Sequence, residues 1–365
     1  MMDKEKYILA AGAVVLFILI VLIGTLQHYG GQTEPEVKPK VGFILQGAFE
    51  ERGWNHNHYL GLQAAAETME LQLDGHENTP AGSEECRRII KEMSEAGERL
   101  IFLASADYAQ DLAAVRGSTP REIFVIPALE HPADEHVVPY FIRLYQGEYL
   151  AGVLAGARTK TGRIGYVASM PIPETIRGIN AFALGIRRVN PQAQLIVHWI
   201  GSWDNSKLEV EATENLIDRA GVDVLNSHQD RHSVQETAAA RGVDSIGYQE
   251  TMKNATEHSL ATVVCDWSVP YRRILQDYQQ GQLNSGYWLG FPEKAIDLTD
   301  YSPSLTEEQR QAVEQAKQDI RSGHNMFSGE IRDLAGNIRC EADESITDET
   351  LISIDWFVEG VKFYE

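Results

Sequence analysis

The sequence is poor in cysteine and in positive charge. Three cysteines, Cys86, Cys265 and Cys340, occur among 365 residues, so at most one disulfide can form, and neither a disulfide scaffold nor a cysteine-rich zinc site is expected. Lys and Arg number 32 against 53 Asp and Glu, which gives a net charge of −21. So acidic a surface repels phosphate backbones, and we expect no nucleic-acid partner.

The motifs of the commonest enzyme classes are also missing. The chain has no G-x-x-x-x-G-K-[ST] loop, and no G-x-G-x-x-G follows its first predicted strand, so the usual phosphate cradles are absent. It also lacks the G-x-S-x-G elbow and the H-E-x-x-H helix. We therefore expect a protein that is not an enzyme and needs no cofactor or metal. The enzymatic alternative is a nucleoside hydrolase in which Asp107 or Asp230 activates water.

One long hydrophobic run stands near the start of the chain. Ile8–Leu26 contains nineteen residues without a charge, and as a helix it would span roughly 28 Å, close to the thickness of a bilayer core. Lys4 and Lys6 precede the run, and no Lys or Arg follows it until Lys38. The positive-inside rule then places the N-terminus in the cytoplasm. We predict that residues 1–27 form a single-pass anchor in the cell membrane, with a cleaved signal peptide as the alternative.

The rest of the chain is expected on the extracytoplasmic, periplasmic side. A linker over residues 28–40 is followed by short apolar runs that alternate with segments of helical spacing, such as Leu62, Ala65, Ala66 and Met69. Alternation of this kind predicts an α/β fold with parallel sheets built from right-handed βαβ units. The predicted strands are 41–46, 99–105, 123–128, 163–169, 194–200, 223–229 and 244–249.

Two interruptions in this alternation indicate two doubly wound lobes. The segment between about 128 and 163 contains a loop, a strand and a helix, and 258–275 reads as a strand leading into a returning helix. We assign residues 41–145 plus about 258–290 to lobe 1 and residues 146–257 plus about 291–365 to lobe 2. A final amphipathic helix is predicted over 348–360. Two such lobes joined by a hinge enclose a cleft at the carboxyl ends of their strands, where open α/β folds bind ligands.

The first candidate binding residues follow the first predicted strand. Trp54 offers a flat face on which a heterocycle can stack, and the neighbouring Asn55 and His56 offer amide and imidazole edges for hydrogen bonds. The alternative is that Trp54 packs the loop against its lobe while the polar residues cap the next helix. A metal held by His56 and His58 is not expected, because two histidines alone make a poor site.

Three more polar or aromatic clusters follow predicted strands. Asp107 comes after the 99–105 strand, His228 and Asp230 come at and after the end of the 223–229 strand, and Asp266 and Trp267 come after the strand near 258–265. We expect Trp267 to form a second aromatic wall opposite Trp54, so that the two rings cover both faces of a flat ligand. Helix capping by Asp230 and core packing by Trp267 are the structural alternatives. Because the carboxyl ends of all these strands should face the cleft, we predict one ligand site. Its residues are Trp54, Asn55, His56, Asp107, His228, Asp230, Asp266 and Trp267.

Longer segments carry a resemblance to a known family. They are Tyr145–Gly152, Lys160–Val167, Pro171–Glu174, Arg177–Phe182, Asn190–Pro191 and Asp355–Gly360. Together they resemble the basic membrane protein family, the PnrA-like purine nucleoside receptors of ABC importers, over about Val41 to Glu365. The resemblance implies a type I periplasmic-binding-protein fold and a purine ligand. It also implies partners in the inner membrane, namely an ABC permease and a separate ATPase.

The resemblance also implies roles for single residues. Gly53-Trp54-Asn55 is similar to the family's first-loop pattern, in which an aromatic ring stacks on the base and an amide binds its edge. The chain departs from that family in three places. Asp230-Arg231-His232 stands where nucleoside receptors carry a Gly-Thr-Gly-like turn, Asp266-Trp267 is nearest to the Asp that would hold ribose hydroxyls, and Tyr248-Gln249-Glu250 replaces the usual acidic pattern. These departures favour a purine base such as adenine over a nucleoside. The alternative function is a ligand-binding sensor subunit that acts through a membrane partner rather than a transporter.

Overall fold

The computed structural model describes residues 39–51, 53–130, 134–249 and 256–364. The predicted anchor over residues 1–27 and all but the last two residues of the predicted linker lie outside these ranges. Within them, no helix combines the length and apolar character that crossing a bilayer requires. Within the described residues, the chain forms one compact unit from Lys40 onwards.

The first of two large sheets has six strands, all parallel to their neighbours, in the order β11-β5-β4-β3-β1-β2. They are β1 (Lys40–Ile44), β2 (Gln72–His76), β3 (Leu100–Leu103), β4 (Ile123–Pro127), β5 (Val137–Ile142) and β11 (Tyr287–Leu289). The central strands are almost wholly buried and apolar, as expected for a parallel sheet covered on both faces. Successive residues of a strand, such as Phe43 and Ile44, belong to different core clusters on the two sides of the sheet.

The second sheet has seven strands in the order β12-β10-β9-β8-β6-β7-β15, and only β12 runs antiparallel to its neighbour. They are β6 (Arg163–Ala168), β7 (Gln194–Trp199), β8 (Val224–Ser227), β9 (Asp244–Gln249), β10 (Ser259–Cys265), β12 (Ile296–Thr299) and β15 (Val361–Phe363). A separate hairpin pairs β13 (Ile331–Arg332) with β14 (Ile338–Cys340).

The helices cover these sheets. Those of the first sheet are α1 (Trp54–Thr68), α2 (Glu84–Glu95), α3 (Ala109–Val115) and α8 (Ser268–Gln279). Those of the second are α4 (Leu144–Arg158), α5 (Pro173–Val189), α6 (Ser206–Asp218), α7 (Ser233–Ala240), α9 (Glu307–Arg321) and α10 (Asp348–Ile352). The chain passes between the sheets after β5, after β10 and after β11. An α/β architecture with parallel-sheet lobes is therefore confirmed, and each of the seven strands predicted from apolar runs is present.

Two predicted boundaries differ from the structure. The segment from 258 was assigned to the first lobe, but β10 pairs with β9 and β12 in the second sheet, so the return crossing follows Cys265. The helix predicted over 348–360 ends at Ile352. Beyond it, the Asn180 side chain donates to the carbonyl of Trp356 at 2.8 Å and accepts from the amide of Val358 at 2.9 Å. These bonds use backbone groups that a continuing helix would need for itself.

The closest helix contact in the second lobe depends on two glycines. A β-carbon at Gly152 of α4 would overlap the carbonyl oxygen of Phe182 in α5, and one at Gly185 would overlap the carbonyl oxygen of Tyr149. The two backbones therefore touch directly, which only glycine permits. Since α4 carries Glu148 and α5 carries Glu174, this contact also fixes two carboxylates relative to each other.

Replacing Gly152 by alanine tests this contact. We expect Gly152→Ala to lower the free energy of unfolding by about 1–3 kcal/mol, the usual cost of overpacking a close-packed interior. Urea unfolding followed by circular dichroism measures the change. Gly117→Ala is the matched control, because a β-carbon there meets no atom within 4 Å. Equal stability of the two variants would contradict the role given to the helix contact.

Candidate ligand-binding site

A cavity of about 360 Å³ lies between the carboxyl ends of the two sheets. Trp54 and Asn55 at the start of α1, residues at or just after the ends of β3, β4 and β5, and Trp267 before α8 line it from one side. Residues at or after the ends of β6 to β9, with Cys265 at the end of β10, line it from the other. The lining residues are Trp54, Asn55, Ser105, Ala106, Asp107, Pro127, Phe141, Leu144, Glu174, Trp203, His228, Asp230, Tyr248, Gln249, Cys265 and Trp267. Its position is the one at which open α/β folds bind ligands.

Six of the eight predicted residues line this cavity, namely Trp54, Asn55, Asp107, His228, Asp230 and Trp267. The other two lie outside the lining. His56 turns back, with its Nδ1 atom 2.6 Å from the carbonyl oxygen of Phe49. Asp266 accepts hydrogen bonds from the backbone nitrogen of Ser268 at 3.0 Å and from its hydroxyl at 2.5 Å. Asp266 therefore caps the start of α8.

The two tryptophans of the first wall contact each other. Their ring centroids are 5.2 Å apart at an interplanar angle of 67°, an edge-to-face pair into which no ligand ring fits. The indole N–H of Trp54 donates to the carbonyl oxygen of Ala104 at 2.7 Å, while Trp267 is only 2% exposed. The expectation that Trp267 forms a second, opposite aromatic wall is therefore wrong; Trp267 backs Trp54 on the same side.

The opposite wall comes from the second sheet and was missed by the sequence analysis. Trp203 lies edge-on to His228 at 5.5 Å between ring centroids, and the tilted ring of Tyr248 has its centroid 4.6 Å from that of the imidazole. The Tyr248 hydroxyl is 3.0 Å from His228 Nε2. Trp203 follows a predicted strand, so the expectation that ligand-binding residues follow strands could have found it. Tyr248 lies inside a predicted strand and could not be found in this way.

His228 is surrounded by carboxylates. Its Nε2 atom lies 3.5 Å from Glu174 Oε1, and Glu174 was not among the predicted site residues. Burial lowers the pKa of His228, but the hydrogen bond and charge of Glu174 and the charges of Glu148 and Asp230 outweigh burial and raise it. Glu148 lies fully buried behind the cavity, and burial raises its pKa to about 7. The imidazole is therefore held towards its charged form.

Two further carboxylates at the cavity are oriented by glutamine side chains. Gln249 Nε2 donates to Asp230 Oδ1 at 3.0 Å, and burial raises the pKa of Asp230 to about 6. On the first wall, Gln46 Nε2 donates to Asp107 Oδ2 at 3.0 Å. Gln249 is a further site residue that was not predicted, and it is the last residue of a predicted strand.

Comparison with known proteins shows which family the chain matches. Residues 38–326 match the family model described as ABC transporter substrate-binding protein, PnrA-like. A purine-binding protein of Brucella abortus is 32% identical over 91% of this chain and 95% of its own length. A candidate ABC transporter glucose-binding protein of Haloferax volcanii is 29% identical over 91% of this chain and 82% of its own length.

A solved structure supports the fold in the same way. An ABC transporter solute-binding protein of Aeropyrum pernix superposes with a TM-score of 0.64 at 20% identity. The match covers 86% of this chain and 95% of that protein. Both α/β lobes are therefore shared with a solute-binding protein.

Removing the charge of Glu174 tests the electrostatics of the cavity. We expect Glu174→Gln to lower the pKa of His228, because the carboxylate beside Nε2 stabilises the protonated ring. A titration of isotope-labelled histidine followed by NMR measures the shift. Glu67→Gln is the control, since that exposed carboxylate of α1 accepts a hydrogen bond from Gln63 of the same helix. An unchanged His228 titration in Glu174→Gln would contradict this assignment.

Proposed function

The chain belongs to the PnrA-like family of ABC transporter substrate-binding proteins, and we propose that it captures a purine base, adenine or a close analogue, in the cleft between its sheets. The binding domain would lie outside the cytoplasm, held to the membrane by the predicted anchor. After closing over the base, it would deliver it to an ABC permease driven by a separate ATPase. Closure would occur by a hinge at the three crossings between the sheets.

The observation that carries this proposal is that aromatic rings line both walls of the cavity, with carboxylates concentrated on the second, acidic wall. Trp54 offers a stacking face on the first side. The charged or ionisable residues of the lining include Asp107, Glu174, Asp230 and His228. Three carboxylates accept hydrogen bonds from N–H groups on a purine edge and repel a phosphate. The site therefore suits a base or nucleoside better than a nucleotide.

The hydrogen bonds already made within the protein narrow the role of each residue. Because the indole N–H of Trp54 is bound to Ala104, its ring faces remain for stacking. Asn55 Nδ2 contacts the carboxylate of Glu51, which leaves the amide oxygen to accept a hydrogen bond from a ligand amine. Since Gln46 fixes Asp107, that carboxylate is in place before a ligand arrives.

Two relatives point to different ligands, and the purine is the better fit. The Brucella relative is named as purine-binding and the Haloferax relative as a candidate glucose-binding protein. A sugar ring also packs on tryptophan and also donates to carboxylates. The purine is favoured because the second wall is aromatic as well, formed by Trp203 and Tyr248, so that both faces of a flat ring gain contact.

A ligand screen tests the proposal. We expect adenine to raise the unfolding temperature of the purified protein, stripped of carried-over ligand, by several degrees. A ligand at 100 times its Kd contributes about 2.7 kcal/mol. Adenosine, guanine, hypoxanthine, AMP and glucose are compared in parallel, and we expect AMP to stabilise less than adenosine. Stabilisation by glucose without any response to purines would replace the purine by a sugar.

Removing the stacking face tests the role of Trp54. We expect Trp54→Ala to weaken adenine binding by about 1–3 kcal/mol, or roughly 5- to 150-fold in Kd, on the scale known for stacking of bases on aromatic side chains. Isothermal titration calorimetry measures the change. Trp356→Ala serves as the control, because this half-buried tryptophan lies outside the cavity lining. Unchanged affinity in a folded Trp54→Ala variant would remove Trp54 from the site.

A further inference from the structure

A chain of hydrogen bonds crosses the cleft at its edge. Asn57, in the first turn of α1, donates through Nδ2 to Gln249 Oε1 at 3.1 Å. The same Gln249 amide donates through Nε2 to Asp230 Oδ1 at 3.0 Å. Asn57 belongs to the first lobe, while Gln249 ends β9 and Asp230 follows β8 in the second. The Gln249 side chain, 8% exposed, thus joins the two walls of the cavity.

The backbone beside this bridge is built for close approach. Gly53, at the N-terminal end of α1, has a φ of 96°, and a β-carbon there would lie 3.0 Å from the Asp230 β-carbon and 3.2 Å from its carbonyl oxygen. Any side chain at position 53 would hold the two lobes apart. Glycine is therefore needed twice, once for the conformation and once for the approach of Asp230.

Gln249 itself adopts an unusual backbone conformation. Its φ of 67° lies in the left-handed region, which is uncommon for a residue that is not glycine, asparagine or aspartate. Backbone strain of this kind persists where surrounding contacts fix the residue, and it is concentrated at functional sites. Here the contacts are the hydrogen bonds that its side-chain amide makes to Asn57 and Asp230.

We propose that Gln249 is the latch residue of the cleft. Asp230 orients its side chain and Asn57 binds it, so that Gln249 stabilises the closed form and slows the release of a ligand. This inference rests on the proposed capture by closure. Opening would break the Asn57–Gln249 bond, which joins the lobes, and would leave the Gln249–Asp230 bond within the second lobe. Gln249 and Asp230 therefore act as positioning residues for closure, in addition to lining the cavity.

The dissociation rate of adenine from the full-length protein tests the latch. We expect Gln249→Ala and Asn57→Ala each to release adenine about tenfold faster, the effect of losing about one net hydrogen bond. The double variant should release it no faster than either single variant, because both remove the same bond between the lobes. Gln63→Ala is the control, since Gln63 donates to Glu67 within the exposed part of α1. Additive effects would overturn the latch.

Two further variants separate the latch from general damage to the fold. Gly53→Ala should speed release, whereas Gly97→Ala should not. Gly97 has a matching φ of 93° but no atom within 4 Å of the added β-carbon. Gln249→Glu should speed release at pH 8, where a second carboxylate faces Asp230. At pH 5 the protonated carboxyl can donate to Asp230 and accept from Asn57 as the amide does, so its rate should approach that of the unaltered protein, while Gln249→Ala stays fast. If the release rates of Gln249→Glu and Gln249→Ala have the same ratio at both pH values, the latch is overturned.

Several groups besides Gln249 face Asp230 and titrate or carry charge in the same experiment. Burial raises the pKa of Asp230 to about 6, with the charges of His228, Asp204 and Glu51 acting on it. Asp230 lines two cavities, and the other titratable or charged residues that line them or interact with Asp230 include Arg231, His232, Glu236, Asp107 and Glu174. Because these groups are identical in Gln249→Glu and Gln249→Ala, the ratio of the two rates isolates the carboxylate at position 249.

A ligand-free measurement keeps failure of the latch distinct from failure of the proposed function. Absence of adenine binding to the unaltered protein would refute adenine capture but not the latch. Hydrogen–deuterium exchange of the full-length protein without ligand then decides. Faster exchange in Gln249→Ala, on peptides covering 53–60 and 224–231 but not 84–95, supports a latch between the lobes. Unchanged exchange on both sides overturns it.

Discussion

The contact between the backbones of α4 and α5 is the constraint on which the chemistry of the cleft depends. With glycine at 152 and 185, the two helices approach until main chain meets main chain. Glu148 from one helix and Glu174 from the other are then both close enough to His228 for their charges to raise its pKa. The same α5 uses Asn180 to hold the segment near Trp356 and Val358. The acidic wall and the C-terminal part of the second lobe are therefore positioned by one close-packed pair.

This packing explains why the acidic wall is stable in spite of its charge. A buried carboxylate loses hydration and is stable only if its proton or a partner compensates. Glu148 accepts a hydrogen bond from Asn226 at 2.7 Å, and its pKa is raised to about 7. His228, whose pKa is raised by its acidic neighbours, balances part of the remaining charge. The wall thus keeps hydrogen-bond acceptors at the cavity without leaving an uncompensated cluster of negative charge beneath it.

The sequence predicts the central strands of the two sheets better than their edge strands. Apolar runs indicate the central strands because both faces of a parallel sheet are buried. The edge strand β2 (QLDGH) is half-exposed and polar, and β15 contains only three residues, so neither leaves a hydrophobic signal. The β10 strand was recognised, but no local feature states which sheet it joins. That depends on pairing with β9 and β12, which are separated from it by loops or by a helix and another strand.

The same limit applies to the site. The rule that ligand residues follow strands brought Trp54, Asp107, His228 and Asp230 together, because parallel strands end at one edge. It could not say which wall each residue occupies, and so it placed Trp267 opposite Trp54 when the two are edge-to-face partners. Nor could it show Gln249, whose importance lies in bonds to residues far away in the chain. Side-chain direction and contacts across the cleft come only from the fold.

The distribution of the ligand-binding residues over both lobes determines how a ligand would drive closure. A ligand shifts a conformational equilibrium only by the difference between its affinities for the two forms. In the proposed complex, Trp54 belongs to the first lobe, whereas Glu174, His228 and Asp230 belong to the second. A flat base in contact with one wall alone is covered on one ring face and gains only the hydrogen bonds of that lobe. Only the closed cleft covers both faces and supplies the hydrogen bonds of both lobes, so the difference in affinity follows from dividing recognition between the lobes.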